Sequence, residues 1–151
     1  MAYWIKLNDG QKQYLVNLER VGAFCAESNQ RIKFWLPDSG QPIIIPAQSR
    51  PEEFQKLCHY LESITSDLID SDTNVVTSAI DDNRWIKIHY ERREYFVNLN
   101  RIQSFACDQG KRITFWLPDS MEPIILSPQS YPEVYQKVQA YIEATTGYTL
   151  P

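Results

Sequence analysis

A chain of 151 residues, of which 43% are hydrophobic and 13% aromatic, can bury a core either as one domain or as two small ones. Its net charge of −4 excludes the strongly basic footprint expected of a general polyanion binder. The sequence lacks an apolar run of the ~20 residues that a membrane span needs. Residues 1–6 also lack the basic-then-apolar pattern of a signal peptide, so we expect a cytoplasmic protein with no membrane partner.

The chain contains an internal repeat. Residues 4–62 align without a gap on residues 85–143 at a constant offset of 81, with 28 identities in 59 positions. The longest identical run is Phe34 to Ser39 against Phe115 to Ser120. A group that each copy needs must recur at this offset, whereas a group that occurs once cannot belong to a duplicated site.

Each copy is predicted to contain five short strands, and the residue ranges below are those of the first copy. The first two strands alternate apolar and polar residues on either side of Asn8-Asp9-Gly10, which is typical of a hairpin. The last two are separated by Pro37-Asp38-Ser39-Gly40, a strong β-turn signal. The predicted strands cover residues 3–7, 13–16, 21–26, 31–36 and 42–45.

A helix is predicted to end each copy. Ser49-Arg50-Pro51-Glu52 and Ser130-Tyr131-Pro132-Glu133 both fit a capping box, in which the serine hydroxyl accepts a backbone N–H and the glutamate reaches back. Apolar residues then recur at helical spacing and predict one apolar stripe on each helix. The stripes are Phe54, Leu57, Leu61 and Ile64 in the first copy, and Tyr135, Val138 and Ile142 in the second.

These elements predict an α+β protein of two homologous repeats, each a curled antiparallel sheet of about five strands with one C-terminal helix, packed about a pseudo-twofold. We expect residues 1–66 and 84–151 to be the repeats and residues 67–83 to be an acidic connector. Each copy alone is of marginal size for independent folding, so the copies should pack together. The connector either packs in part and adds an edge strand, or is a solvated tether.

The cysteines and histidines do not recur at the offset. Cys25, Cys58 and Cys107 have neither an even disulfide framework nor metal-ligand spacing, which predicts reduced thiols. His59 follows Cys58 on the predicted helix, where adjacent side chains point about 100° apart, and His89 lies on a strand. We therefore expect no catalytic residue, no metal and no cofactor.

The polar residues that do recur lie in turns. Asp38 and Asp119 each sit in a Pro-Asp-Ser turn, where an aspartate usually caps its own backbone. Asn17 with Asn98, and Arg20 with Arg101, flank another turn and are predicted to be structural hydrogen-bonding groups.

The predicted strands have one aliphatic and one mixed face. Because side chains alternate along a strand, Ile32 and Phe34 point to the side that we expect the helix to cover, and Trp35 points away. Tryptophan beside arginine on a strand face suits cation–π stacking, so the mixed face is the candidate interaction site. Its residues are Trp4, Lys6, Arg31 and Trp35, with offset partners Trp85, Lys87, Arg112 and Trp116.

Several uses of the mixed face remain open. The aromatic faces can bury each other between the copies or in a homodimer, or they can form an open surface for a ligand or partner. Nucleic acid is disfavoured, because the net acidity comes from five connector aspartates and the copies themselves are near neutral.

The pattern Ile5-Lys6-Leu7-x-x-Gly10-x-x-x-Tyr14-x-Val16-Asn17-x-x-x-Val21, followed by further strands and a helix, resembles the short bacterial FlbD/SwrD-type flagellar accessory proteins. The resemblance covers about the first third of each copy. This chain departs from that family in being tandem and in its Phe-Trp-Leu-Pro-Asp-Ser turn. The resemblance implies a small β-rich unit that need not be an enzyme, and no flagellar role is carried over.

We predict a non-catalytic protein–protein interaction or scaffolding module with an unidentified protein partner. The alternative is a small-ligand or single-stranded nucleic-acid binder that uses the Trp/Arg faces. Whether Trp35 and Trp116 are buried between the copies or exposed in a groove discriminates the two readings.

Overall fold

The computed structural model of the protein describes residues 3–9, 11–37, 39–65, 85–120 and 122–149, and has an α+β fold. The predicted connector and the turn residue Asp38 lie outside these residues. Across the described ranges, neither helix combines the length and the apolar character that crossing a membrane requires.

The two repeats contain the same elements in the same order, which confirms the predicted strands and C-terminal helices. A turn of 3-10 helix follows the second strand of each repeat, at Leu18–Arg20 and Leu99–Arg101. The first repeat consists of β1 (Trp4–Asp9), β2 (Lys12–Asn17), β3 (Ala23–Glu27), β4 (Arg31–Trp35), β5 (Pro42–Pro46) and α1 (Pro51–Thr65). The second consists of β6 (Trp85–Tyr90), β7 (Arg93–Asn98), β8 (Phe105–Cys107), β9 (Ile113–Trp116), β10 (Pro123–Leu126) and α2 (Pro132–Thr146).

The strands are not grouped into sheets repeat by repeat. One five-stranded antiparallel sheet, the joint sheet, has the order β5-β4-β3-β7-β6 and therefore contains strands of both repeats. Strands β10-β9-β8 form a three-stranded sheet, and β1-β2 form a separate hairpin. Strands β3 and β7 pair from Ala23 opposite Val97 to Glu27 opposite Arg93. This β3–β7 junction is the backbone link between the repeats.

Gly22, directly before β3, lets the repeats approach closely at this junction. A Cβ at this position would lie 2.5 Å from Pro118 Cγ and 2.8 Å from Pro118 Cβ, closer than Cβ atoms come to other atoms in proteins. The Gly22 carbonyl also accepts a hydrogen bond of 2.9 Å from the backbone N–H of Asn98. A residue without a side chain is therefore needed where the second repeat passes the start of β3.

Two hydrophobic cores lie under the helices. In the first core, Leu57 of α1 packs with Ile32 and Phe34, as the alternation along β4 predicts. Each core also takes side chains from the other repeat. These are Trp85 and Phe96 in the first core, and Ala23, Cys25 and Trp35 in the second. Neither core is complete within one repeat.

The helices begin one residue later than the predicted capping boxes require. The N-cap of α2 is Tyr131, without a side-chain capping hydrogen bond, and Pro132 is the first helical residue. In α1 the first helical hydrogen bond runs from Phe54 N to the Arg50 carbonyl. Ser49 and Ser130 as N-caps are therefore wrong. The physical reason is the proline, whose ring disfavours helical geometry in the residue before it.

We expect Ser49→Ala and Ser130→Ala each to change the free energy of unfolding by less than about 0.5 kcal/mol, as exposed substitutions usually do. Ser127→Ala is the matched comparison, because Ser127 Oγ accepts the Ser130 N–H at 3.1 Å. Its loss should cost about 0.5 to 1.5 kcal/mol. Denaturant midpoints measure all three; a cost above about 1 kcal/mol for Ser130→Ala would restore the serine cap.

Candidate functional site

The four tryptophans of the candidate face fall into two environments. Trp35 and Trp85 are each 5% exposed, whereas their offset partners Trp116 and Trp4 are 38% and 62% exposed. In each pair of equivalent tryptophans, one ring is therefore buried and the other is exposed. The buried members lie in the joint sheet, and the exposed members lie in the two smaller sheets.

The buried tryptophans pack inside the molecule. The Trp85 ring of the second repeat lies 6.0 Å from the Phe24 ring of the first repeat. Trp35 has Lys33 Nζ 5.3 Å from its ring centroid, so the cation–π contact on this strand uses Lys33 rather than the expected Arg31. At 5% exposure, these two rings offer almost no surface to a ligand.

The four basic residues of the candidate face do not gather around the exposed tryptophans. Arg31 pairs with Glu27 at 3.1 Å, Lys87 with Glu94 at 3.2 Å, and Arg112 with Asp108 at 2.7 Å. Lys6 is exposed and lines a shallow depression beside the start of α1. The structure therefore does not bring the eight residues of this face together.

A groove lies where β2 and the turn after β4 face the second repeat, with a volume of about 920 Å³. We call it the inter-repeat groove. Exposed Trp4 forms part of its wall, with the half-buried ring of Tyr14 beside it. The Tyr14 hydroxyl accepts a hydrogen bond of 3.2 Å from Gln41 Nε2, which orients the ring. The lining residues are Trp4, Lys12, Tyr14, Leu15, Val16, Asn17, Arg20, Leu36, Pro37, Ser39, Gln41 and Arg101.

Three cations line this groove, and the described lining residues include no carboxylate. Lys12 and Arg20 are exposed, and neither forms an ion pair with another residue in the described ranges. Arg101 is half-buried and enters from the second repeat. A concentration of positive charge in a concave site raises the local concentration of anions.

Arg101 is held in place between the repeats. Its Nη1 donates to the Arg20 carbonyl at 2.6 Å, and its Nη2 lies 3.6 Å from Asp119 Oδ2. Asp119, in the Pro-Asp-Ser turn, has a left-handed backbone with φ of 69°. The Asp119 carboxylate neutralises part of the Arg101 charge, whereas Lys12 and Arg20 pair with no carboxylate among the residues that the structure describes.

A second depression of about 490 Å³ adjoins the inter-repeat groove and shares Pro37, Ser39 and Arg101 with it. Trp116 lines this depression together with Gln103. The groove and the depression therefore place the two exposed tryptophans along one continuous concave surface.

The sequence patterns did not predict most of the residues that line the inter-repeat groove. The structure confirms that Asn17 and Asn98 are turn-forming groups, because each side chain accepts a backbone N–H two residues on at 3.1 Å. Arg20 and Arg101 also meet in a structural hydrogen bond, but both line the groove as well. One signal was present in the sequence. Gly22 aligns with Gln103, so a residue without a side chain in the first repeat is replaced by one with a long side chain in the second.

The cysteines and histidines were the other titratable candidates. Burial raises the pKa of the Cys25 thiol, and burial with the nearby Glu62 carboxylate raises the pKa of Cys58. Both thiols therefore stay protonated at neutral pH, unlike an activated nucleophile. His59 and His89 are exposed. Over the described part of the chain, no group of three or more His, Cys, Asp or Glu side chains is arranged to hold a metal ion.

The chain was compared with known families, curated proteins and solved structures. No family model and no curated protein matches the chain. A solved structure described as the LytTr DNA-binding domain of a methyl-accepting/DNA response regulator from Bacillus cereus is similar over 96% of this chain and 97% of that one, with 16% sequence identity and a TM-score of 0.43.

This match stands against two sequence-based predictions, which are therefore corrected. One is the protein-interaction or scaffolding module, and the other is the statement that nucleic acid is disfavoured as a partner. The charge argument used the net charge of the whole chain, whereas binding responds to local charge, and Lys12, Arg20 and Arg101 share one groove. The alternative reading, a ligand or single-stranded nucleic-acid binder, is kept. A likeness of this size does not carry a function across, so the proposal below rests on the groove.

Proposed function

We propose that this protein binds single-stranded nucleic acid in the inter-repeat groove and catalyses no reaction on it. The observation that carries the proposal is the combination, in one concave surface, of the exposed ring of Trp4 with the cations Lys12, Arg20 and Arg101. Aromatic rings that stack on bases and cations that follow the backbone are the two features that sequence-tolerant single-strand binding requires.

The aromatic part of the surface supports stacking at two places. Trp4 is 62% exposed and lies in the groove, and Trp116 is 38% exposed and lies in the adjoining depression. Stacking a base on an exposed aromatic ring contributes about 1 to 3 kcal/mol. Two such rings on one continuous surface suit a strand of several nucleotides better than a single base.

The basic part of the surface supports contacts to phosphate. Three cations on a single strand predict that log K falls with log salt concentration with a slope of about −2, from roughly −0.7 per neutralised phosphate. Because Arg101 is partly neutralised by Asp119, the slope should depend mainly on Lys12 and Arg20. Binding of this kind is weak at physiological salt and strengthens when salt is lowered.

The shape of the surface favours an extended ligand. The groove of about 920 Å³ is already near the upper end of what small-ligand sites enclose, and it continues into the adjoining depression of about 490 Å³. A small ligand would leave most of this surface unoccupied. An extended single strand can contact both tryptophans.

The test is fluorescence anisotropy of a labelled, mixed-sequence single-stranded oligonucleotide titrated with the protein at several salt concentrations. We expect saturable binding, with Trp4→Ala and Trp116→Ala each weakening it about 5- to 150-fold, the equivalent of one lost stacked base. Lys12→Gln and Arg20→Gln should each lower the salt slope by about 0.7. Ile44→Ala is the matched control, because Ile44 is an exposed apolar strand residue outside the groove lining.

Two competitors make the result specific. A duplex of the same sequence should compete poorly, because its bases are already stacked, and a mononucleotide should compete poorly, because it reaches only one ring. Equal competition by the mononucleotide would show that the groove takes a small ligand. Absence of saturable binding at low salt, or equal binding by the Trp4→Ala and Ile44→Ala variants, would remove the single-strand proposal.

A further inference from the structure

The β3–β7 junction has no counterpart between β8 and β2, although the repeat supplies the same strands. Applying the offset of 81 to the observed junction would place Phe105 opposite Leu15 and Asp108 opposite Lys12. Within the described part of the chain, β2 pairs with β1 alone and β8 with β9 alone. Each of these strands thus has one open edge, and the inter-repeat groove lies along β2.

The exposed apolar side chains are those that a second junction would cover. Leu15 is 71% exposed, whereas its offset partner Phe96 in the first junction is 7% exposed. Trp4 and Trp116 are exposed where Trp85 and Trp35 are buried, as described above. Ile44 and Ile125, which are offset partners away from both junctions, are exposed to the same degree, 41% and 39%. The asymmetry is therefore confined to the side where the junction is missing.

The charges at the missing junction are also complementary. In the observed junction Arg93 lies opposite Glu27, with 3.5 Å between Arg93 Nε and Glu27 Oε2. The corresponding residues at the open edges are Lys12 and Asp108, which carry the same signs. The edges of β2 and β8 are thus matched in charge as well as in apolar surface.

The two repeats differ at the residue that makes the first junction possible. At the first junction Gly22 leaves room for the ring of Pro118, and a Cβ there would lie 2.5 Å from it. The offset partner of Gly22 is Gln103, and the offset partner of Pro118 is Pro37. Gln103 and Pro37 both line the depression that adjoins the groove. Gln103 thus carries an exposed side chain at the position where the first junction requires none.

We propose that Gln103 is a positioning residue that holds β2 and β8 apart and so keeps the inter-repeat groove open. Without its side chain, β2 would pair with β8 and the protein would gain a second five-stranded sheet of order β10-β9-β8-β2-β1. Closure would cover Trp4 and Trp116 and would pair Lys12 with Asp108. The consequence for nucleic-acid binding, namely that closure removes it, rests on the proposed function.

The test compares Gln103→Gly with Gln103→Ala in the full chain without any ligand. Alanine removes the amide but keeps the Cβ, and glycine removes both. We expect only Gln103→Gly to slow amide hydrogen exchange, by about tenfold or more, within residues 13–16 and 104–107. Its tryptophan emission should also shift to shorter wavelength and become less accessible to acrylamide, since Trp4 and Trp116 are the exposed tryptophans. A glycine that merely loosened this loop would have the opposite effect on exchange.

Exchange at the parent rate in Gln103→Gly, or equal slowing in Gln103→Ala, would overturn the role of Gln103. The same variants then go into the oligonucleotide titration, where Gln103→Gly should bind at least tenfold more weakly than Gln103→Ala. If the parent protein binds no oligonucleotide, the proposed function fails, while the exchange and fluorescence results still decide the closure. If Gln103→Gly closes yet binds as the parent does, the groove is not the binding site.

Discussion

Trp85→Ala should destabilise the protein by about 3 to 5 kcal/mol, the usual cost of truncating a buried large aromatic side chain. Trp85 is 5% exposed and belongs to the first core, where its ring lies 6.0 Å from that of Phe24. Its removal would leave a cavity at the point where the second repeat completes the core of the first. The β3–β7 junction should weaken with it.

The offset partner provides the matched control. Trp4 occupies the same position in β1 that Trp85 occupies in β6, and each lies opposite the corresponding asparagine, Asn17 or Asn98. Since Trp4 is 62% exposed, Trp4→Ala should cost less than about 1 kcal/mol. Denaturant unfolding followed by circular dichroism measures both variants. Equal losses would contradict the asymmetric burial of the two tryptophans.

Separating the repeats should produce an aggregated or dimeric first repeat. A fragment of residues 1–66 keeps β1 to β5 and α1 but loses β7, the partner of β3 along Ala23–Glu27. It also loses Trp85 and Phe96 from the first core. The fragment would then present an open strand edge beside an apolar patch, a combination that soluble monomers rarely keep exposed.

Light scattering and a thermal melt of this fragment, with the full chain as reference, measure the outcome. A monomeric fragment that melts cooperatively would mean that the first repeat folds without the β3–β7 junction. The expected result is an assembly larger than one chain, with no cooperative transition at low concentration. In a dimer of the fragment, we expect the open edge of β3 in one copy to pair with that of β3 in the other.

The elements and their buried faces could be predicted from the sequence because they depend on local periodicity. Alternation places Ile32 and Phe34 under the helix, and the 3.6-residue spacing places Leu57 against them. Because the sequence is repeated, each predicted element occurs in both copies. The helix starts were misjudged by one residue, because the constraint of Pro51 and Pro132 on the preceding residue outweighed the serine signal.

The candidate face was harder to predict, because identical residues in the two repeats have different surroundings. Alternation correctly separates Trp4 and Trp85 from the aliphatic residues of their strands, yet it cannot distinguish Trp4 from Trp85. Lys12 and Arg20 line the groove along β2, which pairs with β1 alone among the described strands. A strand pattern carries no information about which edge remains unpaired.

By itself, the sequence determined the α+β class and the ten strands and two helices of the described chain, since side-chain spacing encodes these locally. The tertiary structure decided which strand faces are buried, because β4 contributes Ile32 and Phe34 to the first core and Trp35 to the second. Only the tertiary structure decided that β3 pairs with β7, because β2 and β7 share the pattern Tyr-x-Val-Asn and either satisfies the edge of β3 equally well. The close contact of Gly22 with Pro118 lets the repeats meet at one junction, while Gln103 stands at the other. The inter-repeat groove with Trp4, and the adjoining depression with Trp116, lie on the side where β2 and β8 stay unpaired among the described residues.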